Sequence, residues 1–376
     1  MRLAHPDDSV LGRWWLTVDR WTLFAIATLI GFGYIMMLAA SPAVAERIHV
    51  GRDAFIVKQV IFLCLASLIV VSVSLLSPRQ VRRLALAGCG IAILLMIWTL
   101  GHGVEIKGAR RWINLPGMTL QPSEFIKPCF AVVTAWLLTE LEWGRRTSGM
   151  LASGAVFAVI ALLLKSQPDM GMLAVVGVVF FVQLFIAGLN LVLVGVGAGA
   201  IGAAAMAAYT FFPHVRSRVT RFLDPAAGDN YQVYTALEAF GNGGLLGRGP
   251  GEGRVKDVLP DAHADFVFAV MGEEFGMVVC LFVIGVFALI VLRGLIRLIA
   301  EHDLFVVLAA AGLVTSFGLQ SFINMASSLH LIPTKGMTLP FVSYGGSSVL
   351  AIALGIGMLL ALTRQRGRNE LWEGAR

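Results

Sequence analysis

The chemistry that this sequence could perform is clearest where an apolar run carries three carboxylates. Asp265 opens the stretch Asp265-Phe-Val-Phe-Ala-Val-Met-Gly-Glu273-Glu274-Phe-Gly276, and a helix there would bury Glu273 and Glu274 about two turns deeper. Ionised groups at membrane depth are costly, so they point to a site. Of the three, position favours Asp265 for chemistry, because it alone sits beside a basic stretch at the membrane surface. The bland alternative makes Asp265 a helix cap and gives the glutamates Arg or Lys partners from a neighbouring helix.

Cations that could hold an anionic group lie in the longer connections. Lys107-Gly-Ala-Arg110-Arg111-Trp112 puts two guanidiniums together, and they could grip a phosphate bidentately or anchor the loop to headgroups. Gln121-Pro-Ser-Glu124 with Lys127 reads as a helix start, in which Glu124 and Lys127 form an i, i+3 ion pair or leave Lys127 beside a phosphate. Asp169, in Lys165-Ser-Gln-Pro-Asp169, suits an N-cap better than catalysis. Residues 213–264 carry Arg216, Arg218, Arg248 and His263 around Gly241-Asn-Gly-Gly-Leu-Leu-Gly-Arg248-Gly-Pro-Gly-Glu-Gly253. Glycine at this density lets backbone N–H groups close on an anion, although no nucleotide-loop pattern is present. Finally, Pro333-Thr-Lys335-Gly336 and Phe341-Val-Ser343-Tyr-Gly-Gly-Ser-Ser348 make a broken start to the last apolar run, tolerable only where it lines protein or water.

The elements that must position these groups are transmembrane helices. With 57% hydrophobic and 14% charged residues and a mean hydropathy of +0.81, the 376-residue chain does not have a soluble surface. Runs long enough for a bilayer number about ten: Thr22 to Ala40, Phe55 to Leu76, Leu84 to His102, Pro122 to Leu141, Met150 to Leu164, Gly171 to Ala187, Leu189 to Phe212, Phe266 to Leu292, Leu304 to Met325 and Met337 to Thr363. The expectation is an all-α integral membrane protein with a cytoplasmic tail over 1–21, a membrane domain over 22–363, a large extracytoplasmic loop over 213–264 between the seventh and eighth helices, and a cytoplasmic tail over 364–376. Trp14, Trp15 and Trp21 resemble an interfacial belt, and the first run is retained as a span rather than a signal peptide. The 29 basic residues divide almost evenly between the two sides; those on the side of the termini are all arginines in short connections, which places both termini in the cytoplasm. Cys64, Cys89, Cys129 and Cys280 have no metal or disulfide spacing, and the net charge of +6 follows topology rather than a nucleic-acid face.

The Gly-Ala-Arg-Arg-Trp run, Gln-Pro-Ser-Glu, Pro168-Asp169, Asp-Ala-His-Ala-Asp-Phe with Gly-Glu-Glu-Phe-Gly, and Pro-Thr-Lys-Gly with Phe-Val-Ser-Tyr-Gly-Gly-Ser-Ser resemble the SEDS family over about residues 20 to 365. Lys335 resembles the cell-division branch rather than the elongation branch; Met170 and Met172 depart from the family's usual residues. The resemblance implies a glycosyltransferase of the bacterial inner membrane that polymerises lipid II for septal peptidoglycan beside a class B penicillin-binding protein and other division proteins, with Asp265 as the essential aspartate. A sugar hydroxyl, its proton taken by Asp265 as general base, would displace a polyprenyl diphosphate with inversion, assisted by Arg110, Arg111, Lys127, Arg216, Arg218, Arg248, Lys335 and Ser343. Glu124, Asp169, His263, Glu273 and Glu274 would support them, and a divalent ion, magnesium or manganese, could bind Asp265 or Glu274. Two rivals are a lipid II flippase, which should show paired broken helices, and a non-catalytic division scaffold, which leaves the carboxylates without a purpose.

Overall fold

The structure is a computed structural model that describes residues 9–47, 51, 54–106, 108–140, 146–188, 191–223, 231–333 and 336–365. Apolar runs adopt helix because lipid offers no partner to a free peptide group. The helices are α1 (Val10–Thr17), α2 (Arg20–Arg47), α3 (Ala54–Ser74), α4 (Pro78–His102), α5 (Pro122–Glu140), α6 (Arg146–Ser166), α7 (Met170–Ile186), α8 (Leu191–Phe211), α9 (Pro213–Leu223), α10 (Tyr231–Gly243), α11 (Val267–Ile299), α12 (Leu304–Ser328) and α13 (Gly346–Leu362). Each expected span falls at least in part on a helix, and among the described residues six helices are long and apolar enough to cross a bilayer, with α7 and α13 shorter but apolar. Exposed Phe24, Leu68, Leu94, Leu162, Phe282 and Ile296 give these helices the apolar exterior that lipid requires.

Starts follow local chemistry. Ser77 and Gln80 form a capping box ahead of Pro78, and Asp169 and Asp303 cap α7 and α12. Inside, α5 packs between α4, α12 and α13. Gln183 of α7, fully buried, donates to the carbonyls of Ala131 and Leu308 (3.1 Å) and accepts from the Thr134 hydroxyl at 2.6 Å, tying three helices with amide hydrogen bonds.

Three features add detail to the expected helical architecture. Residues Val104–Ile106, Ala109–Leu115 and Met118–Leu120 form antiparallel strands β1, β2 and β3 between α4 and α5. Pro116-Gly117 turns β2 into β3, with Gly117 at φ +84°, the conformation a Pro-Gly turn demands. The expected loop over 213–264 holds α9, α10 and a short 3₁₀ turn at Val255–Asp257. And α13 begins only at Gly346, leaving residues 336–345 extended or turned, as a broken start requires.

The end of the bundle opposite this sheet is stapled. Asp19 accepts two 2.9 Å hydrogen bonds from Arg293 and one of 3.2 Å from Arg297, which also donates to the Thr363 carbonyl. Burial pushes the Asp19 carboxyl up, but the donated hydrogen bonds of Arg293 and Thr22 and the charges of the two arginines outweigh it and hold the pKa below the usual range. Part of the segment expected as the N-terminal tail also packs there: Trp14 of α1 is buried and donates to Ser74 at 2.8 Å.

Candidate functional site

The sheet end of the bundle encloses a cavity of about 980 Å³, bounded by α3, β2, β3, the starts of α5 and α7, the 261–266 turn and the 336–348 segment. Asp265, Arg111, Trp112, Glu124 and Asp169 line it, together with Lys58, Gln232, Asp261, Thr338 and Tyr344, which the sequence reading did not select.

Asp265 sits in the turn before α11, and the cap of that helix is Phe266, so the carboxylate is not spent as an N-cap. Its position is fixed through the backbone. Asn324 of α12 donates to the carbonyls of Asp265 (3.0 Å) and Met337 (2.6 Å), joining the aspartate to the broken segment. A Cβ on Gly336 would lie 3.0 Å from the Asp265 Oδ2, tight enough that a side chain there would press on the carboxylate. Lys335 itself lies outside the described residues.

Ser343, expected to touch substrate, is fully buried; its hydroxyl donates to the Ala264 carbonyl at 2.6 Å and accepts from the Leu339 N–H at 2.8 Å. It shapes the Asp265 turn instead. The Tyr344 N–H reaches the His263 carbonyl at 2.9 Å, and Phe55, His263 and Tyr344 pack their rings at 5.1–5.3 Å. The role expected of His263 thus becomes support of the turn through its backbone and ring.

The paired guanidiniums do not act together. Strand geometry sends neighbouring side chains to opposite faces, so Arg111 enters the cavity wall and Arg110 meets the exposed Glu105 at 3.3 Å. Arg111 is itself held at 2.9 Å by Asp169, which also accepts the Met172 N–H as the cap of α7. Beneath the cavity Lys127 is buried, 4% exposed, and its ammonium is shared by Glu124 (2.7 Å) and Gln320 (2.5 Å); Glu124 also accepts from Ser348. The ion-pair reading of Lys127 is the one seen here: its ammonium is satisfied by Glu124 and it does not line the cavity.

The glycine-rich stretch provides a further correction. Its backbone N–H groups do close on anions, but those anions belong to the protein. Glu273 accepts from the Val255 N–H (2.9 Å) and Arg248 (3.4 Å), and Glu274 from the Gly251 N–H (2.9 Å) and Lys256 (2.6 Å). The carbonyls of the same two residues accept the N–H groups of Arg248 and Gly249. Arg248, Glu273 and Glu274 therefore form a clamp outside the cavity, and Glu274 is not available as a shared metal ligand with Asp265. No group of three His, Cys, Asp or Glu converges among the described residues. Arg216 lies exposed on α9 away from the cavity, and for Arg218 only the backbone is described.

Fold and site together define a multi-pass membrane protein that gathers its polar groups into one cavity at one end of a helical bundle. Residues 20–368 match the FtsW/RodA/SpoVE family, described as cell cycle proteins, and the chain belongs to that family. It is 41% identical to the probable peptidoglycan glycosyltransferase FtsW of Caulobacter vibrioides over 96% of this chain and 93% of that one, and 37% identical to the FtsW of Halomonas elongata over 94% and 92%. Among solved structures it is similar to a chain of a peptidoglycan synthase complex described for its coordination of polymerization and crosslinking (TM-score 0.76, 28% identity, 93% of this chain and 98% of that one). It also resembles the rod shape determining protein RodA of Thermus thermophilus (TM-score 0.67, 27% identity, 93% and 97%).

Proposed function

We propose that this protein is a peptidoglycan glycosyltransferase that polymerises lipid II into septal glycan at the outer face of the inner membrane, with both termini cytoplasmic. The observation that carries the reading is the placement of Asp265 in the same cavity as Arg111 and Lys58. The acceptor hydroxyl oxygen attacks the anomeric carbon of the growing chain, and the bond to the polyprenyl diphosphate breaks with its electron pair leaving on the diphosphate. The hydroxyl proton passes to Asp265, and one displacement inverts the anomeric centre. Cations in the cavity wall stabilise the charge gathering on the leaving group. Any divalent ion belongs with that diphosphate, with Asp265 the one expected ligand that remains in the cavity.

Because a structural relative belongs to a complex that coordinates polymerization and crosslinking, the partner we assign is a class B penicillin-binding protein together with other division proteins. The test is glycan synthesis from lipid II by the purified complex. Wild type should make polymer, and a folded, partner-bound Asp265→Ala variant should not. Equal polymer from both removes Asp265 from the chemistry. Lipid II crossing liposomes without polymer from either would favour a flippase.

A further inference from the structure

The cations of the cavity region are almost all spent on partners. Arg111 is held by Asp169, Lys127 by Glu124 and Gln320 below the floor, Arg110 by Glu105 outside, and Arg248 and Lys256 by the glutamate clamp. Lys58 differs. It is exposed, it lines the cavity, and among the described residues it makes no ion pair or hydrogen bond.

The start of α3 is also built to hold Lys58 in that wall. Gln59 is fully buried and donates to the Ser343 carbonyl at 3.3 Å, which ties α3 to the broken segment. Phe55 packs its ring tilted against His263 and edge-on against Tyr344. Phe62, one turn below Lys58 and on the same face, fills the space that a Cβ at Gly346 would need, and it lines the cavity too. Three neighbours thus fix the helix on which Lys58 stands, while its own ammonium keeps three donors for a ligand. A lysine in the fifth position of an apolar span, with packed neighbours and no partner among the described residues, is what a site for a lipid-borne anion requires.

Resting on the glycosyltransferase reading, we infer that Lys58 is the cavity's own receptor for the polyprenyl-linked diphosphate, binding it directly and stabilising it as it leaves, while Arg111 is held back by Asp169. The probe is geranylgeranyl diphosphate, with geranylgeraniol as its uncharged control, titrated onto the full-length protein in detergent and followed by thermal stability. Glycan synthesis by the partner-bound protein is measured in parallel for wild type, Lys58→Met and Lys58→Arg.

The diphosphate, and not the alcohol, should raise the melting temperature of wild type. Lys58→Met should need about tenfold or more higher concentration for the same rise and lose glycan synthesis by a similar factor, the usual scale for one hydrogen bond to a charged group. Lys58→Arg should recover most of both, because it restores the charge. If Lys58→Met responds to the diphosphate as wild type does, the inference is overturned, whatever happens to synthesis. If the Lys58-dependent response is present in a wild type that makes no glycan, the diphosphate site stands and the polymerase reading falls.

Discussion

Removing the carboxylate of Glu274 tests whether the glycine-rich stretch is a wall held from within. Glu274→Ala strips Lys256 of its 2.6 Å partner and leaves the Gly251 N–H without an acceptor. The Lys256 side chain is 10% exposed, so water can reach it in part, and the cost falls at the lower end of that for breaking a buried pair, about 3 kcal/mol. At about 1.4 kcal/mol per decade this makes local opening roughly 150 times more frequent. The assay is hydrogen exchange of peptides covering residues 244–258 in the detergent-solubilised protein, where amides of Arg248, Gly249, Gly251 and Val255 are protected by bonds to Glu273 and Glu274. Replacing both partners, Glu274→Met with Lys256→Met, removes the orphan charge and should return protection to within about tenfold of wild type. Exchange in Glu274→Ala within about threefold of wild type would refute the clamp, and a double variant as unprotected as the sum of the singles would refute the pairing.

Other consequences are more local. Asn324→Ala should lower the rate of glycan synthesis with little change in the dependence on lipid II concentration, because it loosens the tie between the Asp265 and Met337 carbonyls; a change confined to KM would speak against a positioning role. Gly276→Ala should destabilise by at least about 1–2 kcal/mol, since the residue sits at φ +77° and a Cβ would meet the Gly247 nitrogen at 2.4 Å; a melting temperature equal to wild type would contradict this. The Asp19 staple stabilises only while the carboxylate is ionised, and its folded pKa is lowered. Its contribution is therefore complete above the unfolded value of about 4 and fades as pH falls through the folded one, so the stability gap between wild type and Asp19→Asn should stay constant above about pH 4 and narrow only below it.

The apolar runs made the bundle legible, because hydrophobic length is a direct consequence of lipid as solvent. The sheet was hidden by the same logic: Arg110-Arg111-Trp112-Ile113 reads as a charged loop, although Pro116-Gly117 between two short alternating segments is a hairpin signal. Glu273 and Glu274 were recognisable as buried ionisable groups, but their partners lie up to 25 residues earlier in a glycine-rich stretch whose path no periodicity discloses. Lys58 was overlooked within the apolar count of α3, where a single lysine was itself the signal. Asp265, Glu124, Arg111 and Asp169, chosen from separate motifs, do converge on one cavity.

The shortness of α13 sets the depth at which chemistry takes place. Its 17 residues cover about 26 Å, less than the roughly 30 Å of a hydrocarbon core, and the non-helical residues before it make up the difference. The floor of polar side chains at Glu124 and Ser348 is therefore sunk below the water interface rather than raised above it. A polyprenyl tail can stay in the bilayer while its head group tips inward, and every charge in the basin acts through a medium less screening than bulk water.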